Sequence, residues 1–300
     1  MSFVKVIRTI TTARAVSSIA VWLGLSAGLS ATPIIVGITA DSQLVQINQA
    51  TGVGSALVTL DGSYNPLGIA SNGTSLFLYG QNNGDLRQVT SFTTGATSQL
   101  GTPLAGVPST LGFVPTKGDL TYHAGNFYIG SSAAADGSFS ANGSLFSVVN
   151  APGYAASQLD TGAFPKVGGL AFSSGGVFYG VDQFGNTLYT LNAATGTATS
   201  STALTGAGLD PTVDTVGGLI FGTNGTLYAA VSPDGINSEW FSINTATGAA
   251  TDLGSIGGYD IVGLALVNIP VVNPIPEPAS FVLIATGACA LWLRRKRLNS

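Results

Sequence analysis

The sequence predicts an all-β chain: a β-propeller of five four-stranded blades, closed by strands from both ends. Three observations predict it. A short phrase of glycine followed by an apolar residue recurs, as Leu67-Gly68-Ile69-Ala70, Gly118-Asp119-Leu120-Thr121, Gly168-Gly169-Leu170-Ala171, Gly217-Gly218-Leu219-Ile220 and Val262-Gly263-Leu264-Ala265. Its apolar residues Ile69, Leu120, Leu170, Leu219 and Leu264 stand at intervals of 51, 50, 49 and 45, the period of a propeller blade. Each phrase leads through a turn into a second apolar segment. The two ends are also complementary: Ile34 to Ile38 reads as a second strand without a first, and Ile261 to Val267 as a first strand without a blade. Pairing them completes a ring and removes the open sheet edges that invite aggregation.

The elements follow in order. The first blade takes 34–60 with 261–267, and the others take about 65–104, 116–160, 166–205 and 215–256. Within a blade, Asn72-Gly73 precedes Leu76-Phe77-Leu78-Tyr79, and Asn224-Gly225 precedes Leu227-Tyr228-Ala229. Asn-Gly between apolar runs signals a hairpin because both residues tolerate positive φ. A third strand recurs as Leu44 to Asn48, Leu145 to Val149, Leu188 to Asn192 and Trp240 to Asn244. It runs into Ala50-Thr51-Gly52, Ala194-Thr195-Gly196 or Ala246-Thr247-Gly248, then a fourth strand rich in Thr and Ala. The third blade is irregular around Ser131 to Ala141, where a small-residue stretch predicts a long loop. The repeats resemble those of uncharacterised secreted propeller-like domains that end in an Ile-Asn-x-x-Thr-Gly phrase. Strand spacing alone also admits a β-sandwich or a β-solenoid.

Charge is segregated. Seven of the ten Lys and Arg lie near the ends, leaving Arg87, Lys117 and Lys166 against thirteen acids between residues 31 and 276, a net charge of −10. Such a surface repels phosphate backbones, so nucleic acid is excluded as a partner. The one cysteine, Cys289, sits in the C-terminal apolar run, so the body must be held by its own core.

Residues 1–31 have the parts of a secretory signal: Lys5, Arg8 and Arg14, an apolar stretch from Ala15 to Leu29, then small residues around Ser30 and Ala31. The body is expected over 32–270, and a sorting segment over 271–300. That segment begins with the helix-breaking run Asn273 to Ser280, which contains Pro276, Glu277 and Pro278. Thirteen uncharged residues follow, Phe281 to Leu293, closed by Arg294, Arg295, Lys296 and Arg297. The apolar run falls short of the ~20 residues of a full membrane span, and the basic cluster places the body on the outer side. An N-terminal signal helix and a short C-terminal apolar helix should therefore flank the propeller. Motif, apolar run and basic end, in that order, resemble the PEP-CTERM sorting signal. The resemblance implies a Gram-negative source and an exosortase-type enzyme that cleaves near Pro276-Glu277-Pro278. It also implies membrane anchoring before processing, and exopolysaccharide or other surface components as partners. A plain tail anchor behind a Pro-rich linker is the alternative.

Chemistry-bearing residues are sparse. The body has one histidine, His123, and one glutamate, Glu239, and no catalytic, phosphate-binding or cofactor motif. His123 reads as a turn residue. Asp182 to Asn186 and Asp234 to Glu239 carry oxygen ligands at spacings calcium accepts, yet such residues are what tight turns demand, and no metal site is predicted. Tyr79, Tyr128, Tyr179, Tyr189 and Tyr228 repeat at blade positions suited to packing between blades. Asn65, Lys117, Lys166, Asp214 and Asp260 precede the five innermost strands and should crowd one mouth of the central channel, as a binding ring or as solvated charge. The expected function is a non-enzymatic binding or structural role at the cell surface or in the extracellular matrix. One alternative is a secreted polysaccharide-active enzyme using acids such as Asp214 and Asp260 about 5–10 Å apart. Another is an adhesive scaffold, which would need a flat array of Thr.

Overall fold

The structure, a computed structural model, describes residues 33–268 apart from 81–83, 102–117, 132–142, 160–163, 185, 207–208, 210–214 and 235. Both terminal segments, with the signal-like stretch, the Pro276-Glu277-Pro278 motif and the basic cluster, lie outside the described residues. So does most of the irregular stretch of the third blade.

The described chain folds into five four-stranded antiparallel sheets. The first holds β1 (Ile34–Thr39), β2 (Gln43–Ile47) and β3 (Gly54–Thr59). The second holds β4 (Pro66–Ser71), β5 (Leu76–Gly80), β6 (Asp85–Val89) and β7 (Thr97–Gly101). The third is β8 (Gly118–His123), β9 (Asn126–Ser131), β10 (Ser144–Val149) and β11 (Ala156–Gln158). The fourth is β12 (Val167–Phe172), β13 (Phe178–Asp182), β14 (Thr187–Leu191) and β15 (Ala198–Ala203). The fifth is β16 (Thr215–Phe221), β17 (Leu227–Ser232), β18 (Glu239–Ile243) and β19 (Ala250–Ser255). Finally β20 (Ile261–Val267) returns to pair antiparallel with β1, setting Ile34 opposite Val267 and Gly37 opposite Leu264. The five innermost strands β4, β8, β12, β16 and β20 each pack against the next, and β20 meets β4. The ring therefore closes, with both ends contributing to one blade.

The core is divided accordingly. Five apolar clusters each join two adjacent blades: Phe77, Tyr79 and Phe127 between the second and third, for example, and Tyr228, Trp240 and Ile47 between the fifth and first. All five repeating tyrosines belong to these seams. Alternation along the inner strands gives a blade two apolar faces, one for each neighbour, while the outermost strands such as β15 stay largely exposed.

The outer turns explain the Asn-x-x-Thr-Gly phrase. The carboxamide oxygens of Asn48, Asn192 and Asn244 accept the amides of Ala50, Ala194 and Ala246. The amides of Gly52, Gly196 and Gly248 bond back to the Asn carbonyls at 2.7–2.8 Å, each glycine with φ of 70–75°. The second blade builds the same turn from Ser91 and Gly95. Gly52, Gly95 and Gly248 also press against the preceding blade: a methyl at Gly248 would lie 2.2 Å from the Ala203 carbonyl oxygen, and one at Gly95 2.0 Å from that of Thr59. The phrase fixes both a turn and a seam.

Candidate functional site

The recurring phrase places one residue per blade against the propeller axis: Gly68, Asp119, Gly169, Gly218 and Gly263. The glycines are there because main chains of successive blades nearly touch. A methyl on Gly263 would lie 2.6 Å from Gly68 Cα, one on Gly68 2.4 Å from the Leu120 nitrogen, and one on Gly218 2.9 Å from the Leu264 nitrogen. Asp119 is the exception, and its side chain uses the space that glycine leaves open. It is fully buried. Its Oδ1 accepts the amide of Leu120 at 2.8 Å, and its Oδ2 accepts those of Leu170 at 2.9 Å and Leu219 at 3.3 Å. One carboxyl thus joins main-chain donors of three blades. Burial pushes its pKa well above the ordinary carboxylate range, and the three amide bonds oppose that shift without overcoming it. The sequence signal was visible, since an aspartate stands where the other four repeats have glycine, but its partners lie 51 and 100 residues away.

Along the inner strands beyond this layer, a cavity of about 90 Å³ opens, walled by Ile69, Thr121, Tyr122, Phe172, Ile220 and Leu266 among others. His123 ends the neighbouring strand with its ring stacked on Phe172 at 4.2 Å, and Phe172 stacks on Phe178 at 4.3 Å. His123 is a packing residue at the seam of the third and fourth blades.

The opposite end, where the innermost strands begin, is polar. Buried Thr39, Ser42, Ser131, Ser144, Ser232 and Ser238 all sit at the hairpins between second and third strands. Ser238 Oγ accepts the Ile261 amide at 2.9 Å, tying the fifth blade to β20. Three of the five mouth residues expected from the sequence are described, and each stands just before an innermost strand. Asn65 is exposed with φ of 46°. Lys166 and Asp260 are half-buried, their carbonyls accepting the amides of Gln183 and Ala40. Lys117 and Asp214 lie outside the described residues.

The sequence did not single out a charged cluster on the second blade. Arg87 pairs with buried Asp85 at 2.9 Å and lies 4.5 Å over the ring of Tyr64. The Tyr64 hydroxyl donates to Asp61 at 2.6 Å; this bond, with bonds from Thr97, holds the Asp61 carboxyl below its usual range. In the calcium-like hairpins, Asp182 Oδ1 accepts the Phe184 amide. Asp234 Oδ1 accepts the amides of Ile236 and Asn237, and its Oδ2 accepts the Asn237 carboxamide. Both aspartates cap their own turns.

No protein-family model matches the chain, and no curated protein matches it. Solved structures do. One is a symmetrical protein studied for its de novo evolutionary emergence, 14% identical, covering 82% of this chain and 100% of that one with a TM-score of 0.46. Another is a gluconolactonase from Xanthomonas campestris, 14% identical over 77% of this chain and 78% of that one, TM-score 0.44. A third is a catalytically inactive virginiamycin B lyase from Staphylococcus aureus with quinupristin, 11% identical over 75% and 71%, TM-score 0.41. Enzymes are thus among the distant structural neighbours, and at these identities none of their activities transfers to this chain.

Proposed function

We propose that this chain is an exported surface or extracellular-matrix protein with a non-enzymatic binding or structural role, sorted through a PEP-CTERM-like C-terminal segment. The observation that carries the reading is where the ring closes. The last innermost strand ends at Val267, nine residues before Pro276. A cut by an exosortase-type enzyme near Pro276-Glu277-Pro278 would leave every described strand in place.

In this one layer the axis offers no free side chain for catalysis. Here four of the five axial residues are glycine, and the fifth directs its carboxyl at three amides. Binding of exopolysaccharide or another surface component is assigned to the polar mouth near Asn65, Lys166 and Asp260; Lys117 and Asp214, which the sequence groups with them, lie outside the described residues.

The test is the intact mass of the protein recovered from fractions of its native host. Loss of roughly the first 30 residues and of everything after about Pro276, with the body outside the cell, is the expected result. A full-length tail retained in the inner membrane would overturn the sorting assignment.

A further inference from the structure

We propose that Ile269-Pro270-Val271-Val272, the segment that follows β20, docks over the axial cavity and stoppers it. All five innermost strands wall this cavity: Ile69, Thr121, Phe172, Ile220 and Leu266 stand on β4, β8, β12, β16 and β20. Tyr122, Phe172, Ile220 and Leu266 are only half-buried, so the described residues leave an apolar lining partly open to water. Apolar surface gathered in one place marks a site that another apolar group covers.

The chain leaves the ring on the rim of this cavity. Leu266 and Ser71 both line it. One residue past β20, the main-chain and side-chain amides of Asn268 donate to the Gly73 carbonyl at 3.4 and 3.0 Å, across the seam between those two strands. From there β20 does not continue its ladder, because Pro33 beyond Ile34 and Pro270 beyond Asn268 both lack the N–H that further pairing uses. The next four residues carry no charge and include three aliphatic side chains, a run that gains by leaving water. Three residues of extended chain span about 10 Å, which lets Val271 reach over the cavity from Asn268. The stopper does not depend on the sorting assignment, and a cut near Pro276 would leave it on the body.

The test uses the full chain in detergent micelles, with Cys289→Ser removing the native thiol. Val271→Cys places a thiol in the stopper, and Ala246→Cys places one on an exposed outer turn as the reference. Each is reacted with a small water-soluble maleimide, and its rate is taken relative to that of the urea-unfolded chain. The thiol at 271 should react about tenfold more slowly than the one at 246. Ala265→Phe fills the cavity from β20 and should abolish that difference; where it prevents folding, Ile220→Trp serves in its place. Equal rates with the cavity unaltered overturn the proposal. Protection that survives a filled cavity is shielding by the micelle, and protection that rises with protein concentration is a second copy; either result overturns it as well.

Discussion

Substituting Gly263 by alanine tests the closed axis most directly. Gly263 lies in β20 with a backbone conformation open to any residue, so the added methyl acts by contact alone. The nearest atoms are Gly68 Cα and Ile69 N, both at 2.6 Å, with the Gly68 carbonyl carbon at 2.9 Å. Ordinary contact for a methyl begins near 3.4 Å, so two strands must separate by about 0.8 Å where neither has a side chain to rotate away. Overpacking of a dense interior costs about 1–3 kcal/mol, and a clash with unyielding main chain falls at the upper end, about 3 kcal/mol. Domains of this kind have about 5–15 kcal/mol in hand, so the variant should remain folded. With a urea slope of about 3 kcal/mol/M, the unfolding midpoint should fall by about 1 M with the slope unchanged. A shift below about 0.2 M would mean that β20 and β4 do not meet at this layer, and the closed ring would be wrong.

Other outcomes follow from the same geometry. A chain ending at Asn268 should resist limited proteolysis as well as one ending at Ser300, whereas a chain ending at Tyr259, lacking β20, should be digested through the blades. Gly248→Ala and Gly225→Ala impose the same positive φ, 73° and 75°, but only the first meets a neighbouring blade; urea unfolding should show it costing about 1–3 kcal/mol more, and equal losses would remove the seam role of the outer turn. Because burial raises the Asp119 pKa, the folded state holds that proton more tightly than the unfolded chain. Stability from this group is therefore intact below the ordinary value of 3.8 and declines as pH climbs toward the folded value. Wild-type stability, relative to Asp119→Gly, should fall over that range; a rise would show the amides outweighing burial.

Much of this fold could be read from the sequence because the repeat is local. The Gly-apolar phrase, the Asn-Gly hairpins and the Asn-x-x-Thr-Gly turns each lie within a few residues of chain, and backbone conformation dictates their composition. The second blade's outer turn escaped notice because Ser91 replaces asparagine while Gly95 does the same work. The axial carboxyl escaped for a different reason. Asp119 belongs to the phrase, but its role depends on amides of Leu170 and Leu219, brought near only when three blades pack. The mouth residues show the converse limit: position before a strand placed Asn65, Lys166 and Asp260 at one end of the ring, but strand order alone could not say how far each side chain is buried. The Asp85–Arg87 pair lies within β6, but its Tyr64 lid comes from the segment before β4 and meets it only in the folded blade.

The pairing of Ile34 with Val267 has a mechanical consequence. The chain enters and leaves the ring side by side, through the outermost pair of one antiparallel ladder. A pull between those two points opens the ladder one pair at a time, as a zipper opens, rather than sliding the strands past each other with all their bonds loaded together. A body tethered by one end alone carries drag through its packed core and leaves this ladder slack. Tethered by both ends to surfaces that move apart, the same body would give way first at β1 and β20, shedding its closing strand at low force while the other four blades are still folded.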